Sequence, residues 1–203
     1  MQLLWVNLVT DGLPALALGV EPKHEGLMER CPRDPDEGVL DSFAIRGILW
    51  HGACIMTVTL AAFIYGLYWT HLQPRGHETF KEALGMLFHA PFWAGLDLRN
   101  AGTLAFTTLA FAQLAHSLNC RSETRSLFEL GWGSNLPLLL AVSVSVLAQL
   151  AVVYIPFVRP AFDTVPITGS DLAVLASLSL TPLVFGELRK VWLRRARARP
   201  MTF

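Results

Sequence analysis

The 203-residue chain is 53% hydrophobic and only 16% charged, whereas soluble domains carry about 25% charged residues. Its formal net charge is zero and its pI near 7.0, so no bulk attraction to nucleic acid is expected and none is assigned as a partner. A mean hydropathy of +0.43 and recurring apolar runs of about 20 residues, the length of helix that crosses a hydrocarbon core, exclude a soluble domain. Strand patterns of the membrane-barrel kind are absent. The chain reads as all-α: a polytopic transmembrane helical bundle of about five spans, one domain over residues 1–203, with the lipid bilayer as its surroundings.

The first span covers residues 1–20. It lacks a basic leading segment and contains Asp11, which is not a signal-peptide pattern. Residues 21–41 (EPKHEGLMERCPRDPDEGVLD) are charged, hold three prolines and read as an irregular solvated loop. In the second span, 43–69, Gly47 and Gly52 with Ala53 suit close helix packing. His51 reads as a packed histidine there, because no second histidine or carboxylate stands at ligand spacing in that span. Residues 70–100 carry Phe80, Phe88, Phe92 and Trp93, which suit a segment lying at the membrane interface.

The third span, 101–118, holds Thr108, Gln113 and His116. Gln113 reads equally as an interhelical hydrogen bond or as a site residue, and His116 and Asn119 read as structural groups near the span's end. Residues 121–134 form a short polar connection. The fourth span, 136–154, carries a mild polar stripe of Ser143, Ser145 and Gln149 facing other helices. Residues 157–169, with Pro160 and Pro166, predict a tight turn. In the last span, 172–192, Pro182 predicts a kink, with Ser179 and Thr181 able to satisfy freed backbone groups. The cysteines Cys31, Cys54 and Cys120 lack CxxC spacing and read as unpaired thiols.

An odd number of spans puts the termini on opposite sides, and Lys and Arg excess then sets the orientation. With the C-terminus cytoplasmic, Lys23, Arg30, Arg33, Arg46, Arg121 and Arg125 join the tail residues Arg189, Lys190, Arg194, Arg195, Arg197 and Arg199 on that side. Only Arg75, Lys81, Arg99 and Arg159 fall on the other. The basic tail also suits contact with anionic lipid. Met1 then stands on the non-cytoplasmic face with no flanking loop, and the reading frame is expected to belong to a longer protein.

The chemistry concentrates in the first span. In NLVTDGLPA, the residues Asn7, Thr10 and Asp11 fall on one face at about 100° per residue. An aspartate inside a span costs roughly 2.5–3.5 kcal/mol on insertion scales and is usually kept for a function. Pro14 has no N–H and its ring clashes with the carbonyl four residues back, that of Thr10, while Gly12 adds backbone freedom. The helix is therefore expected to be broken or loosened just after Asp11. Carboxylate, amide, hydroxyl and freed carbonyl oxygens are the hard ligands that Ca²⁺ takes, and broken helices at mid-membrane are a common way to build ion sites. A structural Asp paired with a neighbouring helix is the competing reading.

These residues also carry a resemblance. QLLWVNLVTDGLPALALGVEP resembles the sixth membrane helix of calcium-pump-type cation-transporting P-type ATPases. MERCPRDPDE resembles that family's following charged loop, with Cys31-Pro32 where two prolines are usual. TLAFTTLAFAQLAHSLNCRSETRSLFE resembles the eighth helix and the loop after it, and YIPFVRPAFDTVPIT the turn from the ninth helix to the tenth. Similarity runs through nearly the whole chain and is weakest over residues 72–100. The resemblance implies a C-terminal membrane region of sixth to tenth helices, with metal ligands at Asn7, Thr10, Asp11 and Gln113 and Ca²⁺ as the transported ion. Glutamine at position 113 resembles the one-ion members. The family's loop contacts its phosphorylation domain, which would give Asp34, Asp36 and Glu37 a coupling role beside the simpler reading of a solvated charge run.

Neither the family's DKTGT phosphorylation motif nor a GxxxxGK[ST] loop occurs in the sequence. No catalytic residue is assigned. ATP and Mg²⁺ would act only in an N-terminal half holding the fourth and fifth helices and the cytoplasmic domains, which is the expected partner. The expected location is the plasma membrane of a prokaryote. Two alternatives stand: a stand-alone five-span scaffold or regulatory subunit, and a pump for Mn²⁺, Na⁺ or H⁺, since oxygen ligands suit several hard ions.

Overall fold

The computed structural model describes residues 1–22, 42–72, 96–122, 125–131 and 133–197. Expectations about Cys31, Asp34, Asp36, Glu37, the aromatics Phe80 to Trp93, and Arg199 lie outside those residues.

The first segment is helical throughout: α1 (Gln2–Trp5), a π-helical turn (Val6–Asp11) and α2 (Gly12–Gly19). Then come α3 (Ser42–Leu67), continued by a second π turn (Tyr68–Leu72), and α4 (Arg99–Asn119). The short α5 (Leu127–Leu130) precedes α6 (Leu136–Tyr154), the short α7 (Arg159–Phe162) and α8 (Gly169–Arg197). At 1.5 Å per residue, the 26, 21, 19 and 29 residues of α3, α4, α6 and α8 extend about 39, 31, 28 and 44 Å. These lengths lie near or above the roughly 30 Å of a hydrocarbon core.

Local chemistry sets the boundaries. Asn135 caps α6 by accepting from the Leu138 N–H at 2.8 Å, with Pro137 in the first turn, where its missing N–H costs nothing. The helix stops at Ile155, whose extended ψ of 115° is what a residue before proline prefers. Ser126 and Glu129 form a reciprocal capping box on α5. The expected tight turn after α6 contains one helical turn, α7, begun with Pro160 in its first turn and ended by Asp163 in the left-handed region at φ 51°. Pro182 lies inside α8, which continues past it. There Ser179 donates not to its own helix but to the Thr108 carbonyl of α4, at 3.3 Å.

By length and composition, α3, α6 and α8 are apolar enough to cross a membrane. They present Met56, Leu60, Leu140, Leu147, Val184 and Trp192 outward. The more polar α4 packs against α3, α8, α6 and the first segment, and its Thr103, Thr107, Thr108, Ser117 and Asn119 are buried. This distribution is the one a helical membrane bundle requires, since a polar side chain facing lipid has nothing to bond to.

Close approach occurs at Gly66, where an added Cβ would stand 2.7 Å from Leu104 Cδ1 and 2.9 Å from Ala101 Cα. Gly52, one of the expected packing positions, faces open space. The packing point is set by where α3 crosses α4 and not by glycine spacing within α3.

Candidate cation-binding site

The loosening expected from Pro14 takes the form of the π turn over Val6–Asp11. It lies ahead of Gly12, one turn earlier than the position just after Asp11, and the rod does not open. A proline disturbs carbonyls on its N-terminal side, and a helix can absorb that disturbance by taking one extra residue into the turn. In the widened register the residue five on from Val9 is Pro14, which has no N–H to give. Ser145 of α6 supplies the missing donor, its hydroxyl bonding the Val9 carbonyl at 2.8 Å.

Neighbours pin the rod along its length. Near the start, Gln2 Nε2 donates to the Phe162 carbonyl at 2.7 Å, and Trp5 Nε1 donates to Gln149 Oε1 at 3.0 Å. Trp5 also meets the Phe162 ring edge-on, 5.0 Å between centroids. At the far end Glu21 receives a forked contact from Arg121, with Nη2 to Oε1 at 2.8 Å and Nε to Oε1 at 3.0 Å. Arg121 further donates to the Gly131 carbonyl and Ser134 hydroxyl, and Asn135 Nδ2 reaches both Glu21 and the Ala17 carbonyl. The Arg121 side chain is 2% exposed and that of Glu21 14%. A charge expected only to mark the cytoplasmic side is thus a buried clamp on α2.

Of the four sequence-selected residues, Thr10, Asp11 and Gln113 line one cleft of about 410 Å³ between the first segment, α3 and α4. The Thr10 hydroxyl is buried, 2.5 Å from the Val6 carbonyl and 3.1 Å from Gln113 Oε1. Its single hydrogen is taken by the nearer carbonyl, which leaves lone pairs on Oγ1 and Oε1. Two oxygens 3.1 Å apart, each about 2.4 Å from a calcium ion, subtend about 80°, the spacing of neighbouring ligands in its common coordination shells. Asp11 is exposed and adds a carboxylate to the cleft. Asn7 is exposed and does not line it. The π turn explains the separation: each residue of a wider turn rotates through less than 100°, so positions 7 and 10 diverge around the axis.

The cleft also holds two residues read from sequence as packing groups, His51 of α3 and His116 of α4. Their rings lie 4.4 Å apart. Gln113, His116 and Cys120 recur at helical spacing, a polar stripe visible in the sequence, but nothing local to α3 or α4 reveals that His51 meets it.

The family described as "Cation transporting ATPase, C-terminus" matches residues 1–192. Among curated relatives, the calcium-transporting ATPase of Bacillus subtilis is 39% identical over 190 residues, covering 93% of this chain and 18% of the relative. The mouse calcium-transporting ATPase type 2C member 2 is 34% identical over 201 residues, 98% of this chain and 19% of the relative. Calcium-transporting ATPase 1 of Saccharomyces cerevisiae is 30% identical over 203 residues, 100% and 19%. The chain spans about a fifth of the length of these relatives. With its helical bundle and its similarity along nearly every residue, the chain belongs to the cation-transporting ATPase C-terminal family.

Proposed function

We propose that this chain forms the ion-binding membrane portion of an ATP-driven calcium pump, crossing the membrane about five times with its C-terminus cytoplasmic. The observation that carries the reading is the convergence of Thr10, Asp11 and Gln113 on one cleft beside a widened, proline-disturbed turn. Asp11 supplies charge, while the Thr10 hydroxyl and Gln113 amide supply neutral oxygens. Asn7 would complete the set by turning inward when an ion arrives. Ca²⁺ takes six to eight oxygens, more than these side chains offer, so the fourth and fifth helices of the whole pump supply the remainder. ATP and Mg²⁺ act in that other part. The single glutamine at 113 suits one divalent ion per cycle. A Bacillus subtilis pump among the relatives supports a prokaryotic plasma membrane as the setting.

In the full-length pump, Asp11→Asn is expected to abolish calcium-stimulated ATPase activity while the protein still folds and inserts. The amide keeps the side chain's shape and removes the charge that favours a divalent ion. Wild-type calcium stimulation in that variant would reject the ligand assignment.

A further inference from the structure

Where α3 begins and α8 finishes, the two helices repeat one pair of residue types in opposite chain directions. On α3, Arg46 precedes Trp50 by four residues, and on α8, Phe185 precedes Arg189 by four. Residues four apart stand one above the other on a helix, about 6 Å along its axis. The Arg189 guanidinium lies over Gly47, its Nη2, Nη1 and Cζ 3.2, 3.5 and 3.6 Å from where a Cβ would stand. One turn further along α3, Trp50 meets Phe185, with 5.8 Å between ring centroids. Numbers rise along α3 as they fall along α8, so the helices run antiparallel here. Both arginines therefore stand on the same side of the ring pair, toward the helix ends.

Arg46 is exposed and, among the described residues, commits only Nε, to the Ser42 carbonyl at 3.0 Å. The helices bring little negative charge to this end. α3 has no Asp or Glu, Asp171 stands in the first turn of α8, and Glu187 receives Lys190 at 2.9 Å and Ser126. Trp50 is 61% exposed, an amphipathic ring of the kind that sits at headgroup level. Beyond it both helices turn apolar side chains outward, among them Met56 and Leu180. Charge, then an amphipathic ring, then apolar surface is the profile of a phospholipid from phosphate to acyl chain.

We infer that Arg46, Trp50, Phe185 and Arg189 form a binding site for one anionic phospholipid, its phosphate at the guanidinium groups and its acyl chains along the α3–α8 seam. Guanidinium matches phosphate oxygens with paired N–H donors. Two such cations repel the choline ammonium of a zwitterionic headgroup and favour a headgroup of net negative charge. Each arginine near a membrane surface favours anionic lipid by about fivefold. The site is separate from the basic residues that follow Trp192, and it does not depend on which ion the cleft binds.

The test uses the 203-residue chain in nanodiscs of equal parts phosphatidylcholine and phosphatidylglycerol with matched acyl chains. Native mass spectrometry then counts the lipid that stays bound. One phosphatidylglycerol should be retained, preferred over phosphatidylcholine by about tenfold or more. Arg46→Gln and Arg189→Gln should each lower that preference about fivefold. Arg195→Gln, exposed beyond the seam, should leave it unchanged. Gly47→Val keeps every charge but fills the notch under Arg189, and should also lower the preference. The wild-type chain supplies a measurement that no misfolded variant can confuse: phosphatidylglycerol with a diazirine in its acyl chain should label α3 and α8 near Trp50 and Phe185. Labelling spread evenly over the bundle, or a preference untouched by Gly47→Val, would overturn the inference. So would an equal loss in Arg195→Gln, which assigns the preference to the diffuse charge of the tail. A chain dimer retaining no lipid would also overturn it and give the seam to a second copy.

Discussion

The clamp between Glu21 and Arg121 makes a quantitative prediction because its two ends are buried unequally. An exposed ion pair contributes about 0–1 kcal/mol. Removing one member of a buried pair costs about 3–5 kcal/mol, since the survivor keeps its charge without its partner. Glu21→Ala leaves a guanidinium that is 2% exposed, with the neutral acceptors Gly131 and Ser134 remaining, so its cost belongs at the upper end, about 5 kcal/mol. Arg121→Ala leaves a carboxylate that is 14% exposed and still receives Asn135, which places it nearer 3 kcal/mol. These correspond to roughly 3.5 and 2 decades in the folding equilibrium. The double variant leaves no orphan charge and should cost clearly less than the sum of the single variants. Equilibrium unfolding of the chain in mixed SDS micelles, followed by tryptophan fluorescence, measures all three. Equal single effects below about 1 kcal/mol, or strict additivity, would refute the reasoning and make the pair an ordinary surface contact.

Ser145→Ala removes the donor to the Val9 carbonyl. It should cost about 1–3 kcal/mol in the same unfolding assay and, on the proposed reading, lower the apparent calcium affinity of the full-length protein, because the widened turn beside Asp11 loses its support. Unchanged affinity would separate the turn from the ion site. Gly186→Ala places a Cβ 2.2 Å from Asn119 Nδ2, displacing the amide that bonds the Pro182 and Leu183 carbonyls at 3.1 and 3.2 Å. A loss of about 1–3 kcal/mol is expected, partly restored by Asn119→Ala. A destabilisation that the second substitution leaves unmoved would show that the contact is not the cause.

The long helices were legible because membrane spans are written in length and apolarity, both local properties. The fourth apolar run has the same bounds as α6, 136–154, and the other runs differ from their helices by a few residues at the ends. The disturbed turn was legible in Pro14, whose missing N–H acts on its own helix, although its conversion to a π turn moved Asn7 away from Thr10. The capping box of α5 was also open to reading, since Ser126 and Glu129 stand at the characteristic spacing. What could not be read were pairings across the bundle. Arg121 and Glu21 lie 100 residues apart, Ser145 and Val9 136 apart. The crossing of α3 on α4 that excludes a side chain at Gly66 and joins His51 to His116 has no local sequence signature. Helix formation follows from the chain's own neighbours, whereas the partner of a buried polar group depends on how finished helices dock.

The hydroxyl- and amide-rich α4 bears on how the protein is made. Leaving the ribosome alone, this segment would expose Thr103, Thr107, Thr108 and Asn119 to acyl chains, with no sibling helix yet available to shield them. Its apolar forerunner α3 can wait in the bilayer unaided. The centre of the bundle is therefore expected to integrate in company, held at the insertion channel until α8 emerges, and a reporter of translocon insertion for α4 alone and within the whole chain would expose that dependence.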